Sequence, residues 1–513
     1  MTPTPSHRRV AAAALALVAS LALAACGSQL EPADVSAVSA GTSQLVAAGG
    51  DAVVPGDAAG AEIPGAATAV PDGDDDASVS AGGAGTVDSD PGAPADTGSE
   101  PTSSGGGSGD DQNPKAPSSP ATGDAGGAQA AAACDGFDND QPGVTSSTIT
   151  VANVSDVSGP VPGIFESARQ GTKAYLAYFN ASQKLCGHTI KLLELDSRAD
   201  AGADQQAYAR ACTETFAAVG SMSAFDSGGA ATAQKCGLPD LRSTSVNPER
   251  TRCTTCFSAQ SVSAGLVPRA MPDYFSDVDK EATQHAALLY INACAAVVNA
   301  ASFKKAWETA GWKVDYFQGI DVAEFNFAPY VQQMKDRDIE MVYYVGPYQN
   351  TIKIQQAMRQ QGFAPKIYLQ DSTIYDAKYA EQAGDLAEGA YAYSNIAMFS
   401  DTTNPEMQLY RAWLDQVSPG ADPNFFGLYA WSAARLFLQT AVELGGDLDR
   451  ASMVSALGKV KNWTANGLHS PQDVGGKTTG TCQKIIRFTG GSWKQVSKGD
   501  YLCGALVSTG LGA

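Results

Sequence analysis

From Thr148 onward the chain alternates between two kinds of apolar spacing. Short runs rich in β-branched residues, the first being Thr148-Ile149-Thr150-Val151-Ala152-Asn153-Val154, are followed by stretches in which apolar side chains recur every three or four residues. The runs suit strands buried on both faces and the stretches suit amphipathic helices, so the alternation predicts a parallel sheet covered by helices. After the first strand comes a Gly-rich turn, Ser158 to Gly163, and then a helix with Ala168, Ala174, Tyr175, Ala177, Tyr178 and Phe179 largely on one face. A strand over Thr189–Leu195, a helix over Ala203–Phe216, a strand ending at Ser221, a short helix over Ala230–Lys235 and a strand around Leu238–Ser243 follow. Those four strand–helix steps are enough for one domain.

A second alternating series runs from about Leu266 to Tyr393. It predicts strands at Ala286–Ile291, Lys313–Phe317, Ile339–Val345 and Lys366–Leu369, with helices at Ala301–Ala310, Ala328–Lys335 and Thr351–Gln361 between them. Long helices are expected at Pro405–Gln416 and Phe425–Leu444 and a shorter one near Arg450–Lys459, before strands around Cys482–Phe488 and Trp493–Val496. Two similar lobes in tandem are implied.

The N-terminal quarter has a different character. Arg8 and Arg9 precede an apolar run from Val10 to Ala25, too short for a permanent membrane span, which is the plan of a secretory signal. It ends Leu23-Ala24-Ala25-Cys26-Gly27, which resembles the bacterial lipobox, so Cys26 is expected to become a lipid-modified N-terminus on the outer face of the cytoplasmic membrane. Residues 27–133 contain no Phe, Trp or Tyr and carry 16 acidic side chains against Lys115 alone. Such a stretch cannot bury enough apolar surface to offset its chain entropy and is expected to be a solvated tether. The domain plan is therefore a signal over 1–25, a lipidated cysteine and tether over 26–133, and a bilobed domain over 134–513. Lobe I spans about 147–262 plus 394–462, and lobe II about 266–393 plus 465–505.

Charge excludes one class of partner. The 513 residues hold 34 basic and 54 acidic side chains, net −20, and no basic block, so a phosphate backbone finds no footing. Most of the acidity belongs to the tether, because residues 134–513 hold 38 acidic against 31 basic side chains.

Ten cysteines in an exported chain point to disulfides. With Cys26 set aside for lipid, the preferred pairing is Cys134 with Cys186, Cys212 with Cys236, Cys253 with Cys256, and Cys482 with Cys503, which leaves Cys294 as a free thiol. A zinc or redox role for Cys253-Thr-Thr-Cys256 lacks a second ligand pair and a helix opening at Cys253.

Several blocks resemble the type I periplasmic binding proteins, particularly the Leu/Ile/Val-binding branch. Ile149 to Pro160 is similar to that family's first strand and Ser-Gly-Pro loop, and Gly171 to Asn180 to its first helix. Phe303–Gly311 with Lys313-Val314 is similar to a helix, Ala-Gly, strand element, and Tyr429–Leu438 with Ala441–Gly446 to a late helix. The resemblance covers about 147–500. It implies an α/β fold of two Rossmann-like lobes with parallel sheets, joined by a three-segment hinge and closing over a small molecule, with ABC permease subunits as partners.

The resemblance also implies site residues. A ligand carboxylate would sit on the turns Gly220–Gly228 and Arg242–Ser245, through Ser221, Ser223, Ser227, Ser243, Thr244 and Ser245, where hydroxyls and helix-start N–H groups converge. N-capping and turn formation explain any one of these serines equally well. The first loop would place Ile164, with Phe165 next to it, over the ligand. The second lobe would supply Tyr348 from Gly346-Pro347-Tyr348 and the carboxylate of Asp371, which would meet a ligand ammonium or else cap the helix ahead of Tyr375–Ala383. The Tyr expected after the second lobe's early strand is absent, since that stretch reads Asn292-Ala293-Cys294-Ala295.

No cofactor or metal is implied. Pro471–Thr478 ends like a phosphate-binding loop but lacks its first glycine and a preceding strand, and is read as a turn. His188, His285 and His469 are scattered, with no His-Glu-x-x-His or Gly-x-Ser-x-Gly. The expected function is a lipid-anchored solute-binding subunit of an ABC importer that takes a small polar solute such as an amino acid. A ligand-sensing receptor of the same fold and a cell-envelope hydrolase are the alternatives.

Overall fold

A computed structural model describes residues 134–511. The signal, Cys26 and the tether lie outside the described residues. Strands are numbered in chain order. β1 Thr148–Ser155, β2 Thr189–Asp196, β3 Ala217–Val219, β4 Asp240–Ser245 and β5 Cys256–Ser261 form one sheet in the order β2-β1-β3-β4-β5, with every neighbouring pair parallel. After the short β6, Leu266–Pro268, a second sheet is built from β7 Ala286–Ile291, β8 Val314–Ile320, β9 Met341–Val345, β10 Ile367–Gln370 and β11 Tyr391–Ser394. These five run parallel in the order β11-β10-β9-β7-β8. β12 Cys482–Thr489 and β13 Ser492–Gln495 continue the sheet antiparallel beyond β11, β14 Leu502–Cys503 pairs with β12, and β15 Leu506–Ser508 pairs with β6.

Five of these strands, β5, β6, β11, β14 and β15, were not legible in the sequence. β5 reads Cys-Phe-Ser-Ala-Gln-Ser, with one large apolar side chain, and is held at the sheet edge by its parallel ladder to β4. β6 and β15 are three residues each and exist through their mutual pairing.

The chain passes between the sheets three times, after β5, after β11 and before β12, because the helices Pro405–Val417 and Phe425–Leu444 pack back on the first lobe against helix Glu166–Ser182. The Phe425–Leu444 helix is apolar around most of its circumference, as a helix sunk in a core must be. Asn424 caps its start by accepting from Phe426 N–H, and Gly445 ends it at φ +54°. It crosses helix Glu166–Ser182 at backbone contact: a Cβ on Gly171 would fall 2.0 Å from the Gly427 carbonyl oxygen. Any larger residue at Gly171 would force the two helices apart, and both helices begin at the cleft described below.

Four disulfides pair Cys134 with Cys186, Cys212 with Cys236, Cys253 with Cys256, and Cys482 with Cys503, as expected. Cys294 is corrected. It is buried at the start of helix Cys294–Thr309 and has an interaction partner, so it does not stand as a free thiol. No helix among the described residues is long and apolar enough to cross a membrane.

Candidate functional site

A cavity of about 770 Å³ opens between the carboxyl ends of the strands of both sheets. Asp156 follows β1, Thr244 lies in β4, Ser261 ends β5, Ile291 ends β7, Val345 ends β9, Asp371 follows β10, and Tyr393 and Asn395 border the end of β11. This is where open α/β sheets bind ligands, since loops diverge there and leave a crevice. Its size falls in the range that encloses a small organic molecule.

Of the residues expected from sequence, Ile164, Phe165, Thr244, Tyr348 and Asp371 line the cavity. Phe165 meets Phe426 edge to face, ring centroids 4.8 Å apart, so the first loop and the start of the long helix make one aromatic wall.

Ser221, Ser223, Ser227, Ser243 and Ser245 do not line it, and the hydroxyls serve the frame instead. Ser221 Oγ accepts from Val154 N–H at 3.0 Å and Ser223 Oγ from Phe225 N–H at 3.1 Å. Ser243 Oγ donates to the Phe426 carbonyl at 2.9 Å, and Ser245 and Ser258 share a hydrogen bond at 2.8 Å. Ser227 is the first residue of helix Ser227–Lys235, whose N-cap position is Asp226 rather than Ser227. The physical reason is the same throughout: a buried turn must satisfy its own N–H and carbonyl groups, and a short hydroxyl one or two residues away does so most directly. Thr244 lines the cavity, but its hydroxyl donates to Gln260 Oε1 at 2.9 Å.

Sequence reasoning missed Asp156, Gln260, Asp376, Asn424 and Phe426, which also line the cavity. Asp156 is fully buried and accepts from Ser197 Oγ (2.6 Å), Ala199 N–H (2.9 Å) and Ala224 N–H (2.8 Å), drawing three loops together. Burial pushes its carboxyl up and those hydrogen bonds pull it partly back. Asp376 caps helix Ala377–Ala383 through Lys378 N–H, and its other oxygen accepts from Asn424 Nδ2 on the opposite lobe. A second link across the cleft is the Ala295 N–H to Ala224 carbonyl bond at 3.0 Å. The capping Asn424 was the one available signal, an Asn directly before a long apolar helix.

Asp371 does not cap the helix ahead of it, since Asp376 caps Ala377–Ala383. Asp371 caps the turn Ser372–Ile374, with Oδ1 accepting from Thr373 N–H at 3.0 Å and Thr373 Oγ1 at 2.5 Å, and it lines the cavity. Among the described residues no donor reaches Oδ2. Burial without a neighbouring cation pushes its pKa up to about 6. The cavity lining holds five carboxylates, Asp156, Glu166, Asp371, Asp376 and Asp422, against the single, exposed Lys378.

Ser432 Oγ and His469 Nε2 lie 2.8 Å apart, a hydroxyl–imidazole pair of the kind a hydrolase uses. Both are buried, Ser432 Oγ also accepts from Trp463 Nε1, and His469 Nδ1 faces the Ser470 carbonyl rather than a carboxylate. A carbonyl only accepts, so the Nδ1 proton sits there, and burial lowers the imidazole pKa to about 4. The pair staples the long helix to the third crossing segment. Among the described residues no three His, Cys, Asp or Glu side chains are grouped as a metal ion would need.

The family model described as "Periplasmic binding protein" matches residues 148–485, more than half of the chain. The Leu/Ile/Val-binding protein homolog 1 of Brucella abortus (strain 2308) is 24% identical over 144 residues, 28% of this chain and 37% of that protein, so the match spans about a third of the relative. A leucine-binding protein of Thermotoga maritima superposes with TM-score 0.58 at 17% identity, covering 68% of this chain and 98% of its own. A solute-binding protein of R. palustris in complex with benzoate gives TM-score 0.60 at 16% identity, covering 72% and 99%. At these identities the likeness carries the fold: two lobes with parallel sheets.

Proposed function

The chain belongs to the periplasmic binding protein family, and from that premise we propose that it is the extracytoplasmic solute-binding subunit of an ABC importer, capturing a small molecule between its lobes and presenting it to membrane permeases. The observation that carries this reading is the 770 Å³ cavity, lined from both sheets at the carboxyl ends of their strands. Ile164, Phe165, Thr244, Tyr348 and Asp371 are the proposed ligand contacts, with Gln260 and Phe426 beside them. Cys26 is the proposed lipid attachment and residues 27–133 the tether that lets the lobes reach a permease.

The solute class is not inherited from the fold, since a leucine-binding protein and a benzoate complex share it. A library of solutes screened by thermal shift on the mature chain, with small-angle scattering for lobe closure, tests the reading. A true solute at one hundred times its Kd adds about 2.7 kcal/mol of stability and compacts the molecule. A library that yields no stabilising compound, or only compounds that leave the radius of gyration unchanged, would count against it. Cys26→Ser should release the protein from membranes, and retention of that variant through a salt wash would remove the anchor from the proposal.

A further inference from the structure

We infer that the solute carries no carboxylate and is an ammonium-bearing molecule with an apolar body, an inference that rests on the binding role proposed above and narrows it. The anion position between the first lobe's turns is filled by the chain's own Asp156. That carboxylate, buried against the cavity, takes the Ala224 N–H together with Ser197 Oγ and Ala199 N–H. The next N–H of the same turn, on Phe225, goes to Ser223 Oγ. The hydroxyls of Ser243, Thr244 and Ser245 are each bonded within the first lobe. The same wall carries neutral polar side chains, Gln260 and Gln170 among them, and no cation. A ligand carboxylate brought there would stand beside the buried Asp156 carboxylate, with the turns' donors already bonded to Asp156 or to other protein groups.

The opposite wall lacks a cation rather than an anion. Asp371 Oδ2 has no donor among the described residues, and Asp376 adds a second carboxylate on the same wall. Lys378 stands exposed, where solvent screens it. A positively charged head group on Asp371 gains a charge-assisted hydrogen bond. Its apolar remainder would lie against Ile164, Phe165 and Phe426.

Calorimetry on the mature chain at neutral pH, with probes that share a phenyl body and differ in head group, tests this: phenethylamine, phenethyl alcohol, hydrocinnamate and phenylalanine, with leucine alongside. Phenethylamine should bind at least tenfold more tightly than hydrocinnamate, phenylalanine or leucine, and Asp371→Asn should bring it down to the level of the alcohol. Equal or tighter binding of any carboxylate, or an amine affinity unchanged in Asp371→Asn, overturns the inference. If a carboxylate binds and closes the lobes, the inference falls and the solute-binding role stands. If only a compound from the broader library binds, its head group decides in the same way, and if nothing binds both readings fall.

Discussion

Between the first sheet and its helices lie Asp204, Asp226, Asp240, Arg242 and Arg250, all buried, with Tyr208 among them. The second lobe fills the space between its sheet and helix Cys294–Thr309 with Phe303, Trp307, Trp312 and Tyr343. Arg250 donates to Asp240 at 2.5 Å, to Asp204 at 3.2 Å and to the Asp226 carbonyl at 2.6 Å, while Asn247 donates to Asp226. Buried ion pairs gain little net stability over an apolar core, because desolvation offsets most of the attraction. What they add is direction. Asp226 and Asn247 stand in the turns that follow β3 and β4, so the charge layer ties those turns together from behind. The aromatic layer has no such directional demand. The lobe with the charged interior thus presents a self-satisfied wall to the cleft, and the lobe with the aromatic interior presents the unspent carboxylate oxygen of Asp371.

The largest effects should separate the two interiors. Arg250→Met leaves Asp204 and Asp240 buried without their main cation and should cost roughly 3–5 kcal/mol at neutral pH. Trp307→Ala should cost about as much, 3–5 kcal/mol by cavity formation. The two should part on acidification. Without Arg250, the buried carboxylates protonate above their unfolded pKa of 3.8, adding to the rise of Asp204 to about 6 already present. A folded pKa raised in this way contributes stability at low pH that is lost as pH rises through it, so the Arg250→Met deficit shrinks between pH 7 and 5. The Trp307→Ala deficit should stay level. Urea unfolding of both variants at the two pH values checks this, and parallel pH profiles would erase the distinction between the lobes.

A middle-sized effect belongs to the open wall. With Asp371 at about 6 in the empty site, its charge is lost as pH falls from 7 to 5. Affinity for an ammonium probe should then drop about tenfold, near 1.4 kcal/mol, while that for the matched alcohol stays flat. Calorimetry at the two pH values would show it, and an equal drop for the alcohol would point to a group other than Asp371. The smallest effects belong to the closed wall. Ser243→Ala removes a frame hydrogen bond and should cost about 1 kcal/mol of stability with less than a twofold change in affinity. A larger affinity change with unaltered stability would return Ser243 to the site.

The periodicity of apolar positions was enough to read nearly every strand of the two parallel sheets and the bounds of the Phe425–Leu444 helix, because burial on both faces and at helical spacing leaves its mark residue by residue. It failed at β5, β6, β11, β14 and β15, short strands whose existence depends on their partners in the sheets. For the cavity, aromatic and acidic positions tied to loop ends, such as Phe165, Tyr348 and Asp371, were legible through family resemblance. The serines were misplaced because sequence shows that a hydroxyl is present in a turn but not which way it faces, and one rotation about χ1 moves it from ligand to frame. Asp156 and Gln260 had no local signal that set them apart from other polar residues near element ends, and Asn424 had only that of a cap before a long apolar helix. The sequence by itself determined the α/β architecture, since that follows from regular spacing, and the export of a cysteine-rich chain called for disulfides, whose pairing only the structure decided. Only the tertiary structure decided which polar groups were already satisfied by one another, because a buried hydrogen-bond partner is chosen by distances of a few ångströms between segments far apart along the chain.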